Sequence, residues 1–598
     1  MSKLKEARRN MVRRQRRIIF NNDGDDLAQI GGNARPEVLD FGIAKKNTEL
    51  PVTPDGLLQV RTTALVGSHV DAIWYHSSQG MKLYYCDGPF GKLHGSPNLQ
   101  DVATENYKTL TVDYGKDALE IMIDLGKKKG LEIFYSNRMN DTHDSFEPVT
   151  RPIKLDHPEY MLSTKVEGQK LGWGKYPDVR TLWAALNFEY PQIRQMTVDA
   201  LREVCQSYDI DGIELDFLRH PLYFPPTMQH RAVKPEHIDM MNDMVRKIRA
   251  MTEEEGLKRG RSILVAARSE CDLGLSRSIG LDVATWVQEG LIDILVSGSW
   301  VDFTLPSKQI IDLAHSHEVP VYPMVACNAQ AKQFRDKSVW HGTALQRFVE
   351  GADGIYTFNI FEPTLWLWRQ LGDPKVLAGL DATYTWDYLP AQRQTSDVLA
   401  KVRLTRFRWP VKVADGATEP IPLSVGQDLS APPPAGKRRD LTLRIHLSVT
   451  GYGLTEDDGL EIKVNGKPLT EPSFSRPWPN TRIMSGWPSN RRPRCSAWGI
   501  IRWWRLCIVR TVAKPQSTRS DWRYNTSKPL VIPDVNDSVR HRRSGPCDIA
   551  LFMMMQCFQL LRVKQTSTER DRCHPIHAPT TTHFGRKSLT HETPSVLH

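Results

Sequence analysis

Short apolar runs recur along the chain, and most are followed by polar residues or glycine and then by a helical stretch. They are Arg17-Ile18-Ile19-Phe20, Ala72-Ile73-Trp74-Tyr75, Leu131-Glu132-Ile133-Phe134-Tyr135, Asp211 to Phe217, Ile263 to Ala266, Ile292 to Val296, Val319 to Tyr322 and Gly354 to Phe358. Helical stretches at 114–129, 192–208, 238–255, 283–289, 307–317 and 340–350 precede the third to eighth runs. Strands alternating with helices predict a parallel sheet, and eight of them predict a closed (β/α)₈ TIM barrel over residues 17–395. The competing open, doubly wound sheet would carry a Gly-rich phosphate loop after its first strand, and the chain has no GxGxxG.

Beyond residue 395 the pattern changes. Leu441 to Val449 alternates with period two, and Gly459 to Leu469 reads as a strand, an Asn-Gly turn and a second strand. With the Pro-rich linker Ala431 to Ala435, this predicts a partial β-sandwich over 396–472. Residues 473–598 show no sustained period. They hold 17 Arg against 4 Lys and six of the 16 Trp. This stretch is expected to be disordered, or frame-shifted in place of the rest of the sandwich.

Charge sharpens that division. The net charge is +10, but 473–598 holds 21 basic and 7 acidic residues, leaving 58 basic and 62 acidic for 1–472. The basicity belongs to the tail, so no nucleic-acid partner is expected. The nine cysteines include no CxxC pair, which points away from a zinc site or a disulfide framework. No apolar run of 18 residues occurs, so no membrane association is expected. The basic extension 1–16 has no signal-peptide core, so the chain as written reads as cytoplasmic, with export only if the start codon is misassigned.

The strongest chemistry lies in Tyr208-Asp-Ile-Asp-Gly-Ile-Glu-Leu-Asp-Phe-Leu-Arg-His-Pro221. Side chains alternate across a strand. Ile213, Leu215 and Phe217 then face the helices, while Gly212, Glu214 and Asp216 face the barrel axis. Two buried carboxylates are costly unless they are used or paired, and these sit at the C-terminal end of a barrel strand, where active sites lie. The bland alternative is an internal salt bridge with Arg219 or Arg138.

Residues 187–221 resemble the glycosyl-hydrolase-like barrel proteins of the "glycosyl hydrolase-like ten" group, with a Pro-x-Ile-Arg helix followed by a Tyr-Asp-Ile-Asp-Gly-Ile strand ending in acids. The strand is also similar to the chitinase-type Asp-Gly-x-Asp-x-Asp-x-Glu, with Leu218 at the position of the terminal Glu. The resemblance implies cleavage of a poly- or oligosaccharide without a cofactor, by one protonated and one ionised carboxyl group. The expected catalytic residues are Asp216 and Glu214, or one of them with Glu270 just past strand five. The expected carbohydrate contacts are Arg138, Asn140, Asp141 and His143 after strand three, Arg219 and His220 after strand four, Asn359 after strand eight, and the aromatic rings Trp183 and Trp300. Trp74, Tyr75 and Trp366 are further candidate rings. Asn22 to Asp26 reads as a solvated acidic turn without Ca²⁺-loop spacing, and His315 and His317 read as surface residues, so no metal is expected. A carbohydrate-binding barrel without turnover and a metal-dependent hydrolase or lyase remain as alternatives.

Overall fold

The computed structural model describes residues 2–31, 50–76, 81–85, 87–95, 102–145, 150–170, 182–229, 231–298, 307–325, 337–358, 360–361 and 366–386, followed by shorter stretches between 411 and 567. Eight parallel strands form the first sheet: β1 (Ile18–Asn22), β2 (Val70–Tyr75), β3 (Glu132–Arg138), β4 (Gly212–Asp216), β5 (Leu264–Ser269), β6 (Ile294–Ser297), β7 (Val321–Pro323) and β8 (Ile355–Thr357). They are ordered β7-β6-β5-β4-β3-β2-β1-β8, and the parallel bridge from Met324 to Tyr356 joins the ends. The expected (β/α)₈ barrel is therefore present, with all eight strands where the apolar runs lie.

The helices follow from the sequence as directly. Pro191–Ser207 precedes β4, Pro235–Arg259 precedes β5, and Lys337–Val349 precedes β8. Proline opens each of the first two, at a position where a missing N–H costs nothing. Ala118–Lys129 starts on an Asp117–Glu120 capping box and stops at Gly130, whose φ of 71° suits a left-handed cap. Ile133, Leu201, Val204 and Ile248 lie in the main core, which the helices cover.

The barrel's lower interior is filled by stacked aromatics. Trp74 lies on Phe134 with centroids 4.9 Å apart and planes 8° from parallel. Gly212 makes room for this pair: a Cβ there would stand 2.5 Å from Phe134 Cζ and 2.7 Å from the Leu264 carbonyl oxygen.

Two expectations need correcting. Strand β3 runs on through Ser136 and Arg138, where polar residues had suggested a loop. The backbone ladder continues there, with Ser136 in register with Glu214 and Arg138 with Asp216, and both polar side chains find acids: Ser136 donates to Glu214, and Arg138 pairs with Asp23 and Asp141. The Asn22–Asp26 segment is not a solvated turn. Asn22 and Asp26 are buried, Asp26 accepts from the Tyr75 hydroxyl at 2.7 Å and from Asn22 at 3.0 Å, and Asp23 and Asp25 pair with Arg138 and Arg61. Arginines from neighbouring elements neutralise what the local sequence leaves uncompensated.

A second sheet joins β9 (Ala382–Trp386) to strands further along the chain, including Lys437–Val449, Ile501–Ile508 and Gln559–Ser567. The Asn-Gly turn forms as read: Lys463–Val464 pairs with Lys467–Pro468, with Asn465 at φ 50° and Gly466 at φ 78°. The linker Ala431 to Ala435 lies outside the described residues. Among the described residues no helix is long and apolar enough to cross a membrane.

Candidate active site

Strand register assembles the site. Ser136, Glu214 and Ala266 form one row across β3, β4 and β5, and Arg138, Asp216 and Arg268 form the next row towards the C-terminal mouth. Asp216 thus stands between two arginines. It binds Arg268 Nη1 through both oxygens, at 3.1 and 3.2 Å, with both side chains fully buried, and its Oδ1 accepts the Leu218 N–H at 2.9 Å. The internal salt bridge weighed from the sequence exists, but its arginine is Arg268. Arg138 pairs instead with Asp23 and, at 3.2 Å, with Asp141.

Glu214 lies one row deeper and is fully buried. Its Oε2 accepts from the Ser136 hydroxyl and from Asn21 Nδ2, the latter at 3.3 Å. Its Oε1 closes no hydrogen bond among the described residues. Burial first, and then the Asp216 charge, push the Glu214 carboxyl up to about 8, against the pull of Ser136, Arg268 and Tyr356. The carboxyl therefore keeps its proton to higher pH than an ordinary glutamate.

The surrounding wall holds further polar atoms without partners among the described residues. Besides Glu214 Oε1 they are Asn21 Oδ1, Trp74 Nε1, His76 Nε2, Arg268 Nε and the Tyr356 hydroxyl, all on buried side chains. Unsatisfied buried polar atoms are scarce in folded proteins, so this wall holds unused hydrogen-bonding capacity. Arg268 also lies 4.0 Å from the Phe358 ring centroid.

Glu270, just past β5, is buried, and its charge helps hold the Arg268 cation. At the mouth, Asp141 Oδ1 stands 2.5 Å from His143 Nδ1 and 3.6 Å from His220 Nδ1, and Arg219 Nη2 stands 2.8 Å from His143 Nε2. Their candidate donor atoms lie within 4.8 Å of one another, close enough for a metal ion. Yet Arg138 already holds the other Asp141 oxygen, and Arg219 holds the far side of His143. Two guanidinium groups in the position of a cation's neighbours oppose a divalent ion there by like-charge repulsion. Burial, which would raise the Asp141 carboxyl, is outweighed by His143, Arg138 and His220, which hold it well below the usual carboxylate range.

Other expected contacts sit as follows. The Asn140 amide is spent on backbone, donating to the Leu186 and Leu222 carbonyls at 2.9 and 2.5 Å and accepting the Leu186 N–H at 2.8 Å. Trp183 packs half-buried on the small cluster of Leu182, Ala185, Leu222 and Met228. Trp74 and Tyr75 are buried in the barrel, and Trp366 stands at 5.1 Å from His341, outside the main row. His315 is a half-exposed partner of Asp353, and His317 is exposed, both as expected of surface residues. Trp300 and Asn359 lie outside the described residues. A cleft between Arg13, Arg14, His315, Glu318 and Tyr322 opens at the N-terminal ends of the strands, the face of a barrel that serves stability.

Sequence reading missed Arg268, Tyr356, Asn21, Ser136 and His76. A signal was available for two of them. Arg268 shares strand parity with Ala266 and Glu270, so a charged residue was already facing inward. Tyr356 alternates with Ile355 and Thr357 in the eighth run.

No protein-family model matches the chain, and no curated protein matches it. Solved structures that resemble it include a glycoside hydrolase family 18 N-acetylglucosaminidase from Paenibacillus barengoltzii, 12% identical with a TM-score of 0.26, the match covering 46% of this chain and 66% of that one. A GH36 α-galactosidase from Geobacillus stearothermophilus is 11% identical with a TM-score of 0.30, covering 83% and 56%. An α-amylase from Anoxybacillus is 12% identical with a TM-score of 0.32, covering 88% and 98%. The chain spans less than two thirds of the length of the first two.

Proposed function

We propose that the chain is a glycoside hydrolase acting on a poly- or oligosaccharide, with Glu214 as the general acid and Asp216 as the ionic partner beside it. One observation carries the reading. Two carboxyl groups leave the same face of β4 into the barrel, one pushed up to about 8 by burial and by its neighbour's charge, the other fixed in an ion pair with Arg268. A raised carboxyl beside an ion-paired one divides the work between a proton donor and a stabiliser of positive charge. Glycosidic cleavage needs both: a proton for the departing oxygen and a negative group facing the oxocarbenium-like centre. Glu270, from the adjacent strand, is the next carboxylate to serve as nucleophile or base.

A second reading rests on the same ion pair. Arg268 occupies both Asp216 oxygens, which blunts Asp216 as a nucleophile and suits a barrel that binds carbohydrate without cleaving it. Purified protein on a panel of oligosaccharides separates the two. Release of reducing ends, lost in Glu214→Gln, supports hydrolysis. Calorimetric binding of a sugar without product supports the binding barrel. Activity abolished by a chelator and restored by a divalent ion would replace both with a metal-dependent reaction.

A further inference from the structure

Tyr356, at the centre of β8, is fully buried. Trp74 meets its ring edge-on, with centroids 5.6 Å apart and planes at 64°, and the Arg268 guanidinium lies 5.7 Å from its centroid. The ring is therefore fixed between two side chains, and its hydroxyl faces Glu214. That hydroxyl and Glu214 Oε1 are both buried, and neither makes a hydrogen bond of full geometry among the described residues, while the phenol is close enough to favour the ionised Glu214 carboxyl. Glu214 Oε2, in contrast, already takes two donors, Ser136 and Asn21. Two donors on Oε2 leave Oε1 as the oxygen that carries the carboxyl proton.

We propose that Tyr356 is a positioning residue for this acid: its phenol donates a hydrogen bond to Oε1 once the Glu214 proton has left. The inference rests on Glu214 being the acid. In the step, the O–H bond on Oε1 breaks as an O–H bond forms on the leaving sugar oxygen and the glycosidic C–O bond opens. The electron pair of the broken O–H bond stays on Oε1, and Tyr356 shares its own proton with that charge without losing it. A hydrogen bond that strengthens as charge develops lowers the barrier, because it is stronger in the transition state than in the ground state.

The neighbouring groups agree with this role. The charges facing Glu214 are Asp216 on its own strand and Arg268 on β5, with Glu270 behind Arg268, while Asn21 on β1 and Ser136 on β3 are neutral. Burial, and then the Glu214 charge, raise the Tyr356 phenol well above its ordinary value, so it remains a donor throughout the working range.

The test is Tyr356→Phe in the full chain. It keeps the ring and removes a hydroxyl that makes no hydrogen bond of full geometry among the described residues, so folding should survive. Two quantities are read: the infrared band of the Glu214 carboxylic acid as pH rises, assigned by its absence in Glu214→Gln, and the pH profile of hydrolysis. Loss of the donor should move the band's midpoint and the alkaline limb of activity to higher pH together, and lower kcat on the order of 100-fold with KM little changed. An unmoved or lowered midpoint in a folded variant, with Glu214→Gln inactive, would overturn the role of Tyr356 and leave Glu214 as the acid. Full turnover in Glu214→Gln would overturn both.

Discussion

At the scale of single residues, the proton affinity of Glu214 governs both chemistry and stability. The alkaline limb of turnover should fall near pH 8, where the acid loses its proton. Stability carries the same signature. The folded carboxyl is raised above its ordinary 4.5 to about 8, so its contribution is fully present below about pH 4.5 and is lost as pH rises through about 8. Glu214→Gln should therefore flatten the decline in melting temperature between those values, and a slope identical to that of the parent protein would refute the raised affinity. Arg268 makes the opposite kind of prediction. Arg268→Met leaves Asp216 buried without its partner and should cost about 3–5 kcal/mol in chemical denaturation. A loss below about 1 kcal/mol would show the Asp216 charge to be neutralised elsewhere.

At the scale of elements, β4 works because its alternation separates two environments. Ile213 and Leu215 pack in the apolar core, while Gly212, Glu214 and Asp216 form a graded inner column, first close packed, then neutral acid, then ion pair. Gly212→Ala would press a methyl group into Phe134 and the Leu264 carbonyl, an overpacking that should cost about 1–3 kcal/mol by denaturant unfolding. No loss would mean that the Trp74–Phe134 stack yields freely. This column was legible in the sequence because period-two alternation is a local property. Its partners were not: Arg268, Tyr356 and Asn21 come from three other strands, and a single sequence does not fix which inward residue lies opposite which. The same limit made Asn22 to Asp26 look solvated, since Arg61 and Arg138 are remote in sequence.

At the scale of the whole molecule, the barrel is self-contained in its pairing. None of the eight strands of its ring pairs, among the described residues, with a strand beyond Thr357. Deleting 473–598 should therefore leave the barrel folded, although β9 loses its pairing with Gln559–Ser567. Circular dichroism and thermal unfolding of the truncated protein check this, and insoluble or molten protein would show that the second sheet supports the first. Reading the coding DNA in its other frames tests the expectation about the tail: a frame that continues the strand pattern after Pro472 supports a frame-shift, and the lack of one removes that account.

The central claim, that Glu214 and Asp216 act on a glycosidic bond and do more than hold the barrel together, reduces to turnover per folded molecule. Glu214→Gln and Asp216→Asn should be compared with the parent protein on an oligosaccharide substrate, with melting temperature read on the same samples. The account predicts turnover per folded molecule lower by about 100-fold or more in each, with Glu214→Gln still folded and Asp216→Asn folded at a lower melting temperature because Arg268 loses its buried partner. Wild-type turnover per folded molecule in both variants, with loss of activity only as folded protein is lost, would contradict it and make the pair a structural salt bridge.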